Sequence, residues 1–160
     1  MTDIQVIRQW TNEVQTDLIE NYKRLGLKAS GNWANELENR IEVKTDGYNI
    51  KILAAPYTGV MTGGRKPNKN QSKEALRKWI GWAGSTIIKD WVKLKGINAN
   101  PFAIAYKIAR EGIKVPNSNN PGTLVNDVIT PKKIAALTKG LGTAYVDNLK
   151  SEVKNALKSN

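Results

Sequence analysis

The chain contains no cysteine and no histidine. Their absence excludes disulfides, thiol nucleophiles, zinc sites built on thiolate or imidazole, and imidazole general bases. Only carboxylate chemistry on Asp and Glu, with or without magnesium, or a Ser-Lys or Thr-based nucleophile is left for catalysis. Long hydrophobic runs are also missing: no apolar stretch reaches about 18 residues, so no segment reads as a membrane span. The N-terminal MTDIQVIRQW opens an amphipathic pattern in place of a signal-peptide core. The expectation is a chain with no membrane partner, made in the cytoplasm.

What is present fits one globular unit. The length of 160 residues and a hydrophobic content of 40% suffice for a single domain with one core, spanning 1–160. The net charge of +11 is unevenly placed. Residues 1–60 hold seven Lys or Arg against eight Asp or Glu, and residues 61–160 hold eighteen against six. A lysine-rich soluble surface accounts for this bias, and so does a face turned towards a polyanion, of which nucleic acid is the commonest in a cell.

Apolar periodicity gives the elements. Ile4, Ile7, Thr11, Val14, Leu18, Tyr22 and Leu25 recur at steps of three and four, which predicts a helix over 3–25, started by Thr2 or Asp3 and stopped by Gly26. Residues 37–53 switch to alternation around Asp46-Gly47, the signature of a hairpin with a two-residue turn. With those two residues as the loop, Val43 faces Ile50, Ile41 faces Ile52 and Glu42 lies opposite Lys51, leaving one apolar and one polar face. Residues 54–70, rich in Gly and Pro, read as a long irregular connection. Ser72 caps a helix carrying Leu76, Trp79, Ile80 and Ala83; a break near Gly84 follows, with Ser85 starting a second helix bearing Ile87, Ile88, Trp91 and Leu94. Gly96 ends it, Pro101 opens a helix that Gly112 ends, and VPNSNNPGT is a second loop. From Pro131 a long C-terminal helix sets Ile134, Leu137, Leu141, Tyr145, Leu149, Val153 and Leu157 on a slowly drifting stripe, suited to wrapping over a sheet or along a neighbour. The order is that of an α+β fold. Two strands alone are marginal, so a sheet or helix packing shared between subunits is expected to complete them.

The most basic loop is GGRKPNKN, residues 63–70. It is a poor phosphate cradle, because the glycines precede Arg65 and Lys66 and Pro67 removes an amide donor that a P-loop uses. Arg65, Lys66 and Lys69 suit contact with DNA phosphates without base readout, and no recognised sequence-reading module accompanies them. Among the tryptophans, Trp79 and Trp91 lie on apolar stripes and read as core. Trp10 and Trp82 border theirs and are candidates for a subunit interface, where a large rigid side chain covers area at small entropic cost. No catalytic, cofactor or metal site is expected: Glu36, Glu38 and Glu111 are not forced together by spacing, and Ser72 beside Lys73, or Ser85 near Lys89, lacks a visible activating group.

The succession APYTGVMTGGRKPNKN, ALRKWI, WVKLKGI and AIAYKIAREGIKVPN, followed by a long amphipathic helix, resembles the head-to-tail joining or tail-completion (neck) proteins of tailed bacteriophages. The positions that carry the likeness are Pro56 and Tyr57, Gly64 to Pro67, Lys95 to Ile97, and Ala105 to Gly112, within roughly residues 50–115; the helix before Lys95 is longer here than in that pattern. The resemblance implies a virion structural protein, not an enzyme, that forms a closed ring of identical copies between portal and tail with DNA passing through. Its partners would be itself, other connector, portal or tail proteins, and packaged DNA. The Arg65, Lys66, Pro67 and Lys69 loop would then be a stiff arm on a neighbouring subunit or on the DNA channel. The alternative is a non-specific nucleic-acid-binding protein acting as a monomer or dimer.

Overall fold

The computed structural model describes residues 1–158. The fold is mixed helix and strand, with a long N-terminal helix, a two-stranded antiparallel hairpin and a long C-terminal helix. Its contacts group the chain into two compact units: Met1–Asn21, Leu37–Ala54 and Val125–Asn160 form the first, Tyr22–Glu36 and Ala55–Leu124 the second.

In the first unit, α1 (Asp3–Arg24) follows the predicted periodicity and buries Ile7, Thr11, Val14 and Leu18 along one stripe. The hairpin of β1 (Glu38–Lys44) and β2 (Gly47–Leu53) is tied to α1 through Gln15, whose Nε2 donates to the Leu37 carbonyl at 3.0 Å while its Oε1 accepts from Asn39 Nδ2 at 2.8 Å. The register differs from the expected one by two residues. Ile41 faces Ile50, Val43 faces Tyr48 and Lys44 faces Gly47, so Thr45 and Asp46 make the turn and Gly47 opens β2. A slip of two keeps every side chain on its face. The Glu42 to Lys51 ion pair survives at 2.8 Å as a diagonal, with Asn49 opposite Glu42 and donating to it at 3.1 Å. Near the turn the apolar face is open, Val43 being 71% and Tyr48 38% exposed.

The helix α7 (Pro131–Lys158) begins against α1: Trp10 Nε1 donates to the Lys133 carbonyl at 2.9 Å, Lys133 Nζ is paired with Asp17, and Gly140 passes close to Val6. Ala144 is the last buried residue. Every residue from Tyr145 to Lys158 is exposed, so the second half of the expected stripe stands open among the described residues.

The second unit packs α2 (Asn32–Asn35), α3 (Thr58–Gly63), α4 (Lys73–Ser85), α5 (Ile87–Leu94) and α6 (Pro101–Glu111). Trp33 is its largest buried side chain, packed against Tyr22 with ring centroids 4.7 Å apart and planes tilted by 33°, and donating from Nε1 to Thr58 Oγ1 at 2.8 Å. Small buried residues, Ala83 on α4 and Ala105 and Ala109 on α6, let these helices approach closely. The caps are the expected ones: Ser72 Oγ accepts from the Ala75 amide at 3.2 Å, and Asn100 Oδ1 accepts from Phe102 at 2.9 Å with Pro101 at the first turn. Most of 54–70 is irregular, as expected, with Thr58–Gly63 folded as α3 inside it. The break between α4 and α5 falls at Thr86, not Gly84; Ser85 Oγ donates back to the Gly81 carbonyl at 2.7 Å and so belongs to the preceding helix.

Candidate functional site

The loop after α3 is fastened down and does not project as an arm. Arg65 and Ile113 exchange both backbone hydrogen bonds at 2.8 Å, and the Asn68 amide donates to the Ala109 carbonyl at 2.8 Å, joining the loop to the end of α6. Two glycines make this approach possible. A Cβ on Gly64 would sit 2.1 Å from the Ile113 carbonyl oxygen and one on Gly112 2.2 Å from that of Arg65, and both residues have φ near +75° (78° and 75°).

The side chains of the loop divide by role. Arg65 folds inward: its guanidinium lies 4.0 Å above the Trp79 ring and Nη2 donates to Asn68 Oδ1 at 2.9 Å. Burial lowers its pKa from the usual arginine value. Pro67 and Asn68 are half-buried, whereas Lys66 and Lys69 face solvent. Of the four residues expected to make contacts, the structure therefore places two lysines at the surface, with Arg65 acting as the peg that holds the loop.

The interface candidates separate as well. Trp82 is 54% exposed, whereas Trp10 is half-buried with its indole N–H engaged by α7. Trp79 is half-buried beneath Arg65, and Trp91, expected in the core, is exposed. The cause lies in the width of the apolar arc of α5: Val92 turns inward while Ile87, Trp91 and Leu94, one ridge at steps of four and three, remain open. Phe102 and Tyr106 form a second open ridge on α6.

Charge is partitioned between the units. The second unit holds fifteen Lys or Arg and four Asp or Glu, a net +11, and the first holds ten of each and is neutral. The split at residue 60 in the linear chain hid this division, because acidic α1 and the hairpin share a unit with the lysines of α7.

Three of the residues weighed for catalysis, Ser72, Ser85 and Glu38, have local partners. Ser72 and Ser85 serve the helix termini already described, and Glu38 accepts from Arg40 at 2.9 Å, which holds its carboxyl below the ordinary range. No group of three potential metal ligands occurs among the described residues. A depression of about 480 Å³ is lined by Gln9, Asn12, Glu13, Thr16 and Asp17, all from α1. No helix among the described residues is long and apolar enough to cross a membrane. Comparison with protein-family models, with curated proteins and with solved structures finds no match.

Proposed function

We propose that this protein is a structural component of a tailed-phage virion, a subunit that assembles into a ring at the head-tail junction or tail and lets DNA pass. The observation that carries this reading is the uncovered apolar surface on several elements. The α7 residues Tyr145, Val146, Leu149, Val153 and Leu157, the α5 ridge and the hairpin tip all present large side chains to water. Exposed apolar ridges of this kind mark docking sites, and a helix end without tertiary packing is marginal by itself in water. The resembling segments, Gly64 to Pro67, Lys95 to Ile97 and Ala105 to Gly112, lie together in the basic unit. A basic unit facing DNA and apolar faces meeting neighbouring protein would suit a ring subunit, whose heterologous contacts close on themselves.

The test is the solution mass by light scattering at low and moderate salt, with electron micrographs of any large species. Closed rings are expected. The charge partition favours a second reading, a non-specific nucleic-acid-binding protein. A monomer or dimer that binds duplex DNA with a steep salt dependence would replace the first reading with the second.

A further inference from the structure

The loop at 64–69 and the end of α6 are distant in sequence and both basic, and the paired backbone of Arg65 and Ile113 sets them side by side. Lys66 and Lys69 on one segment, and Arg110 and Lys114 on the other, are exposed, and none of the four is in an ion pair among the described residues. Glu111 is the one carboxylate in the two segments. Such a cluster of uncompensated cations calls for an anion.

An aromatic ridge continues from it along α6. The Arg110 guanidinium lies over the Tyr106 ring at 5.6 Å, and Phe102 follows one turn earlier; the rings are 49% and 47% exposed. Residues four apart on a helix rise by roughly 6 Å, so the two rings stand in file leading away from the cations. Phosphate alone explains the lysines and arginine but not two half-exposed rings beside them. A single strand supplies phosphates for the cations and unpaired base faces for the rings, whereas a duplex keeps its base faces hidden.

We propose that this clasp between the 64–69 loop and the end of α6, with the Tyr106 and Phe102 ridge beside it, binds single-stranded nucleic acid without sequence preference. The proposal rests on the nucleic-acid contact of the second reading and adds its place and strand form. The test is fluorescence anisotropy of the full chain with a labelled oligothymidine and a duplex of equal length over a salt series, each variant first checked for native circular dichroism. The oligothymidine should bind more tightly than the duplex. Lys66→Ala/Lys69→Ala should weaken it about tenfold at low salt and lower the salt slope by roughly 0.7 for each phosphate no longer neutralised. Tyr106→Leu should weaken it about tenfold with the slope unchanged, and Tyr106→Phe should bind as the parent does. Lys154→Ala/Lys158→Ala on α7 should have no effect.

Absence of binding to either nucleic acid would overturn both the second reading and this site. Binding that the Lys66/Lys69 variant leaves intact would overturn the site alone. Tighter binding to the duplex would overturn the single-strand assignment.

Discussion

The guanidinium of Arg65 is stacked 4.0 Å above Trp79, and this contact pins the basic loop to α4 as the paired backbone pins it to α6. Arg65 thus serves the fold while Lys66 and Lys69 are left for contact. A partly desolvated cation over indole contributes on the order of 1–2 kcal/mol, and the bond to Asn68 about 1 kcal/mol more. Arg65→Ala should therefore lower stability by about 2 kcal/mol in urea unfolding. Arg65→Lys should recover only part of it, since an ammonium lacks the planar stacking face and the fork of donors. Equal stability of Arg65→Ala and parent would show that the stack is incidental.

Gly64 and Gly112 stand on either side of the same bridge. An alanine at either would combine positive φ with a Cβ closer than 2.5 Å to a backbone oxygen, 2.1 Å and 2.2 Å respectively. The expected cost is about 2–4 kcal/mol for each, from strain and forced displacement of the paired strand. Gly63→Ala is the control: Gly63 ends α3 with nothing within 4 Å of the added carbon, and the change should be neutral or stabilise by up to about 1 kcal/mol. Denaturant midpoints of the three variants decide the matter.

The hairpin predicts a response to acid. Arg40 holds the Glu38 carboxyl, and Lys51 the Glu42 carboxyl, below the ordinary value of 4.5. A group whose folded pKa is depressed adds stability above its unfolded pKa and loses it as pH falls through the folded one. Part of the stability lost on acidification from about pH 5 downward should thus belong to these two carboxylates. Glu38→Gln/Glu42→Gln should lose less between neutral pH and pH about 3 than the parent does, and the difference should shrink in high salt because both pairs are exposed. Parallel pH curves for the two proteins would deny the pairs any such role.

Helix positions were legible because their signals are local. Ser72, Asn100 with Pro101, and the glycines at 26, 96 and 112 act within one turn of themselves, and each sits where the structure begins or ends a helix. The hairpin was legible in place but not in register, since alternation cannot distinguish a slip of two and the Asp46-Gly47 pair also allows the glycine to open the strand. The meeting of Arg65 with Ile113 left no periodic trace: it joins single residues 48 positions apart, and only the two glycines flanking it hinted that backbones approach there. Trp91 departs from its expected place for a related reason, because periodicity reports the width of an apolar arc and not how much of it a neighbour covers.

That distinction yields the sharpest test of assembly. Leu149 and Val153 are 49% and 53% exposed on a stretch of α7 where every side chain faces solvent. In the isolated chain, replacing them with glutamine removes no buried side chain, and glutamine forms helix about as well as leucine and better than valine. Leu149→Gln/Val153→Gln should therefore change the unfolding free energy by less than about 0.5 kcal/mol for each residue. If α7 docks on another subunit, the same pair of substitutions should shift the mass distribution in light scattering sharply towards the monomer, because polar amides would then be buried without matching partners. An unchanged oligomer would remove α7 from the contact and direct attention to the Ile87, Trp91 and Leu94 ridge. A large loss of stability in a protein that stays monomeric would mean that this helix end packs within its own chain.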